Sequence, residues 1–92
     1  MAVKILLPLT LTRDRGGQKE VEVSASNLME ALDALIERLG DEFRGRLFEG
    51  DGKPRRLLNF YVNGKNIRFL RGLETPLRDG DEVTILPSVS GG

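Results

Sequence analysis

Asp79-Gly80-Asp81-Glu82-Val83-Thr84-Ile85-Leu86-Pro87-Ser88-Val89-Ser90-Gly91-Gly92 reads as a turn, a strand and a stalk. Asp-Gly is a turn pair, because glycine accepts the positive φ that tight turns need. The run after it alternates: Val83 and Ile85 take one face, Thr84 and Leu86 the other. Pro87 marks the expected end of the strand. This divides the chain into a folded body, residues 1–86, and a flexible tail, residues 87–92. Fully extended, the tail reaches roughly 20 Å. Its last two residues, Gly91 and Gly92, lack Cβ and fit a channel too narrow for any side chain.

The rest of the chain supplies partners for that strand. Val3 to Leu7 is rich in β-formers, and Thr12 to Gly17 reads as a polar, glycine-ended turn. Val21-Glu22-Val23 resumes with period two, so the two strands form a hairpin. Leu28, Leu32, Leu35, Ile36 and Leu39 share one face of a helix. Ser26 or Asn27 caps its start. With Asn27 as the cap, Glu30 falls at the capping-box position. Gly40 suits a left-handed residue past the helix end. In the polar stretch from Asp41 to Arg56, Leu47 and Phe48 are expected to tuck under the sheet. Leu57 to Asn63 is a strand, with Leu58, Phe60 and Val62 on the core face. Asn63-Gly64 is a strong hairpin signal. Ile67 and Phe69 continue as a short strand or loop, with Phe60 and Phe69 both expected in the core. One helix on one face of a mixed sheet is an α+β solution, and the helical crossover lets the first strand lie parallel to the last.

Composition narrows the function. At 92 residues the chain holds one domain. Acids and bases number 14 each, so charge draws it to neither nucleic acid nor membrane. There is no cysteine for a disulfide or thiol chemistry, and no histidine, the commonest general base and metal ligand. The acids fall singly, with no convincing general acid–base pair, and no metal site is expected. Gly50-Asp51-Gly52-Lys53 is not a phosphate-binding loop: it lacks the spacing and the following Ser or Thr. Val3 to Leu11 is too short, and lacks a cleavage site, for a signal peptide. A cytoplasmic protein is the expectation.

The element order, the block from Asp79 to Gly92 and the Tyr61-Val62-Asn63-Gly64 strand end together resemble the β-grasp, ubiquitin-like prokaryotic sulfur carriers. Two relatives within that group compete. One is the sulfur carrier of thiocarboxylate-dependent cysteine synthesis, and the other is the small subunit of molybdopterin synthase. Gly16-Gly17-Gln18-Lys19 and the stretch from Gly52 to Asn63 look more like the cysteine carrier, while the C-terminal block fits both. The resemblance implies a mixed sheet of four to five strands packed on one main helix.

It also implies a protein-borne sulfur donor rather than an enzyme. A terminal carboxylate is ionised at neutral pH and resists nucleophiles, so it must first be activated. An adenylating enzyme of the ubiquitin-activating type, using ATP and magnesium, would join AMP to Gly92. A sulfur nucleophile would then leave a thiocarboxylate. No cofactor is bound by the carrier itself. Val89, Ser90 and Gly91 would carry the tail into partner active sites. In the cysteine pathway the acceptor is a PLP-dependent cysteine synthase, and a metallopeptidase releases the product. In the other pathway the acceptor is the molybdopterin synthase large subunit.

Leu57, Tyr61, Thr84 and Leu86 point off the core face if the alternation holds. Aliphatic and aromatic residues on an exposed sheet face read as a docking surface for partners. Lys53, Arg55 and Arg56 could meet an acidic partner or phosphate, but a solvated loop is the better reading, since exposed bases are the norm. Two further readings stay open. The same activated carboxyl would acylate lysines in a ubiquitin-like modifier, and a plain interaction domain would leave the tail incidental.

Overall fold

The computed structural model describes residues 1–88. Its strands are β1 (Ala2–Leu6), β2 (Glu20–Ser24), β3 (Leu58–Val62), β4 (Lys65–Asn66) and β5 (Glu82–Pro87). Its helices are α1 (Leu9–Thr12), α2 (Leu28–Leu39) and α3 (Arg44–Leu47), joined by short 3-10 turns. The five strands form one sheet in the order β2-β1-β5-β3-β4. β1 and β5 run parallel, and the other pairs are antiparallel. The last strand is therefore central.

The inner face of the sheet buries Val3, Ile5, Val83 and Ile85 with no exposed area. Against them α2 places Leu28, Leu32 and Leu35, equally buried. Phe43 and Leu47 close the open end of this layer. Asn27 caps α2 as expected, its Oδ1 accepting the Glu30 N–H at 2.8 Å. The returning Glu30 carboxylate takes the Ser26 N–H at 2.9 Å and the Ser26 hydroxyl at 2.7 Å, one residue upstream of the cap. Those two donors hold the Glu30 carboxyl below its ordinary 4.5. Among the described residues, no helix is long and apolar enough to cross a membrane.

Four local expectations change. The polar turn after β1 is two helical turns, α1 and a 3-10 turn at Arg13–Arg15. They end at Gly16 and Gly17, whose φ values are 82° and 66°. Thr12, read as part of a polar turn, is fully buried, and its hydroxyl donates to the Gln18 carbonyl at 2.8 Å. Gly40 has the positive φ expected, 110°, but its ψ of 150° is extended, so it redirects the chain instead of closing a left-handed cap.

The third change concerns Phe69, which is 83% exposed rather than in the core. The Asn66 side chain accepts the Arg68 N–H at 2.9 Å and starts a 3-10 turn at Ile67–Phe69. A three-residue period takes Ile67 inward and turns Phe69 out, whereas a strand would have kept them on one face. The fourth is the end of β5. It runs through Pro87, and the Ser88 N–H donates to the Leu57 carbonyl at 2.7 Å. Pro87 lies opposite Leu58. Since the Leu57–Ser88 pair is hydrogen-bonded, Leu58–Pro87 is a non-bonded pair, where an antiparallel ladder asks no N–H of that residue.

Candidate functional site at the end of the last strand

β3 and β5 together place the expected docking residues. Tyr61 lies directly opposite Thr84, and Asn59 opposite Leu86. All four are on the outer face, because Phe60 and Ile85 between them are buried in the core. Leu57 is 71% exposed and Leu86 45%, while Tyr61 and Thr84 are half-buried. The expected quartet Leu57, Tyr61, Thr84 and Leu86 thus shares one surface. Leu57 and Leu86 stand beside the last described residue of the chain, Ser88.

Leu6 belongs to this surface and was missed by sequence reasoning. It pairs with Thr84 across the parallel β1–β5 ladder, so Leu6, Thr84 and Tyr61 form one row over three strands. The signal was present, since Val3, Ile5 and Leu7 inward put Leu6 outward. Its neighbours, however, depend on a parallel register that the sequence does not print.

The face changes character along its length. Away from Ser88 it turns polar, with Lys4 in register with both Glu22 and Glu82. Lys4 also reaches Glu20 at 3.4 Å, an exposed pair of small energetic weight. At this far end the turns are knitted together. The Asp79 carboxylate accepts the Ala2 N–H at 2.9 Å. Asp81 accepts the Asn63 amide at 3.0 Å and the Arg78 N–H at 2.7 Å, and these donors hold its carboxyl below the ordinary 3.8. Asn63 and Gly64, at φ 51° and 84°, make the two-residue hairpin turn. The Asn63 Oδ1 also accepts the Glu82 N–H at 3.0 Å.

Among the described residues no group of three His, Cys, Asp or Glu side chains gathers to hold a metal ion. What the site offers is an apolar surface at the last described residues of the chain. Val89, Ser90, Gly91 and Gly92, the tail residues expected to carry chemistry, lie outside the described residues.

The family model of the ThiS family matches residues 9–92. The sulfur carrier protein CysO of Mycobacterium tuberculosis is 41% identical over 97 residues, with both chains covered in full. Small archaeal modifier protein 3 of Haloferax volcanii is 33% identical over 86 residues, covering 87% of this chain and 88% of that one. Among solved structures, the Amycolatopsis orientalis BexX/CysO complex contains a chain that superposes with a TM-score of 0.85 at 38% identity, over 98% of this chain and 99% of that one. The β-grasp architecture, the whole-chain relatives and the family model agree, and the chain belongs to the ThiS family.

Proposed function

We propose that this protein is a sulfur carrier that donates sulfur in cysteine biosynthesis from a thiocarboxylate at Gly92. The observation that carries the reading is the tail root. β5 is paired on both flanks, held by β3 as far as Ser88, and flanked there by exposed Leu57 and Leu86. A partner that grips this face receives residues 89–92 at a defined point. Those four residues, fully extended, reach roughly 13 Å beyond Ser88. Family membership and the relative named as a sulfur carrier support the same reading.

The chemistry belongs to partners, and the chain contributes position. An adenylating enzyme uses ATP and magnesium: a Gly92 carboxylate oxygen attacks the α-phosphorus, pyrophosphate leaves, and a mixed anhydride forms. A sulfur nucleophile then attacks the Gly92 carbonyl carbon and AMP leaves with the bonding electrons. With hydrosulfide as that nucleophile, the bond to AMP breaks as the C–S bond forms, and loss of the sulfur's proton leaves a thiocarboxylate. The solved complex of a CysO with BexX supports a partner protein for such a carrier. In the cysteine route a PLP-dependent synthase takes up the thiocarboxylate sulfur, and a metallopeptidase frees the product.

The test is reconstitution with the adenylating enzyme of the same organism, ATP and a sulfide source, read by intact mass. One oxygen-to-sulfur exchange on the Gly92 peptide is expected, and adding one residue after Gly92 should abolish it without altering thermal unfolding. If the extended chain accepts sulfur as well as the native one, the reading fails. A cysteine-sized adduct in protein from the native host selects the cysteine route. The relative named as a small archaeal modifier favours a second reading, in which Gly92 acylates lysines. A ladder of Gly92-linked conjugates in the native host, lost on deleting Gly91 and Gly92, would select it.

A further inference from the structure

Lys53, Arg55, Arg56 and Arg68 line a cavity of about 320 Å³ between the loop before β3 and the turn after β4. Its size is at the small end of the roughly 300–1,000 Å³ range of ligand pockets. Phe60, Ile67 and Leu73 supply its apolar lining. Among the described residues no carboxylate lines it. In a chain with zero net charge, this gathering of bases is a matter of placement, not of composition.

Among the described residues little neutralises these cations. Arg56 stands 3.6 Å from Glu49, but its side chain is 89% exposed, so the pair is weak. The Arg55 Nε donates to the Gly45 carbonyl at 2.8 Å, a neutral partner. Lys53 and Arg68 have no ion pair among the described residues. The cavity also adjoins the tail root: its lining residues Leu58 and Asn59 lie opposite Pro87 and Leu86.

We propose that this cavity is a second docking point for the enzyme that activates Gly92, occupied by an acidic segment of that enzyme carrying one apolar side chain. The inference rests on the sulfur-carrier reading. A bare small anion would leave the apolar lining unfilled, whereas an apolar side chain fills it while flanking carboxylates meet the four bases. Arginine suits such contacts through its planar, weakly hydrated fork. Exposed interface charges act mainly on encounter and register, so the effect should appear in the concentration of carrier required and should weaken with salt.

The experiment is ATP–pyrophosphate exchange by the adenylating enzyme of the same organism, titrated with wild type and the R56E/R68E double variant. KM for the carrier is expected to rise about tenfold while kcat stays within about twofold, and the wild-type advantage should shrink at high salt. R56Q/R68Q should fall between the two. Both side chains are exposed, and thermal unfolding verifies that each variant folds. A normally activated wild type with an indifferent R56E/R68E variant overturns this inference alone. A wild type that is never activated overturns the sulfur-carrier reading with it. Pocket amides that shift with inorganic phosphate, while KM is unchanged by R56E/R68E, would mark a small-anion site and overturn the docking proposal.

Discussion

The two ends of β5 are built in opposite ways. At its start, side chains do the holding: Asp79 grips the Ala2 amide, Asp81 ties Asn63 to Arg78, and Asn63 reaches the Glu82 amide. At its finish no such side-chain network is present among the described residues. β1 has stopped pairing after Thr84, and the strand is held by β3 alone, through Pro87 and the Ser88 amide. Large apolar side chains are exposed there, and charged ones dominate the other end. One end closes the fold, while the other leaves an apolar surface beside the last described residue, Ser88. Exposed apolar area of this kind is the usual mark of an interaction surface.

This contrast can be broken by mutation. Leu86→Asp at the finishing end should raise the carrier KM of the activating enzyme by about ten- to a hundredfold, the range of a buried interface anchor. Its thermal unfolding should hardly move, because the side chain already meets water. A variant that unfolds early while still being activated normally would reverse the assignment of the two ends.

Asn63→Ala at the starting end should do the opposite. It removes the bond to Asp81 and the acceptor of the Glu82 amide, and puts a less tolerant residue at φ 51°. A loss of about 1–3 kcal/mol in denaturant unfolding is expected. Activation of the still-folded protein should be unchanged. A large loss of activation at full occupancy of the native state would show that the two ends are coupled.

The smallest effect sharpens the comparison from outside the strand. Asp14 accepts two hydrogen bonds from Arg46 at 2.6 Å, and that contact lowers its pKa from the ordinary 3.8 to about 2. Between those values the unfolded chain binds more protons than the folded one, so stability rises with pH there. The contribution is fully present above the ordinary carboxylate range and is lost as pH falls through about 2. Asp14→Asn should flatten that part of the acid-unfolding curve and leave activation alone. An unchanged acid limb would remove the Asp14–Arg46 clamp from the account of stability.

Much of this was legible beforehand because it depends on near neighbours. The Asn27 cap with Glu30, the Asn63-Gly64 hairpin and the alternation of Leu58, Phe60 and Val62 are set within a few residues of chain, where backbone preference and side-chain reach act directly. The outward face of Leu57, Tyr61, Thr84 and Leu86 followed from the same alternation. Phe69 shows the limit of that reasoning. An apolar residue two positions past Ile67 reads as core only while the strand persists, and a single Asn66 side-chain bond ended it.

By itself, the sequence determined which residues could form strands, where α2 begins, and that a glycine pair follows the last strand. Tertiary structure decided the rest. The parallel register set Leu6 beside Thr84, and the packing of α3 brought Arg46 to Asp14. The fold also brought Arg68 to the cavity lined by the Lys53–Arg56 segment. These placements join residues far apart along the chain, so no local preference specifies them. They arise only when burial of the shared core fixes the relative position of whole elements.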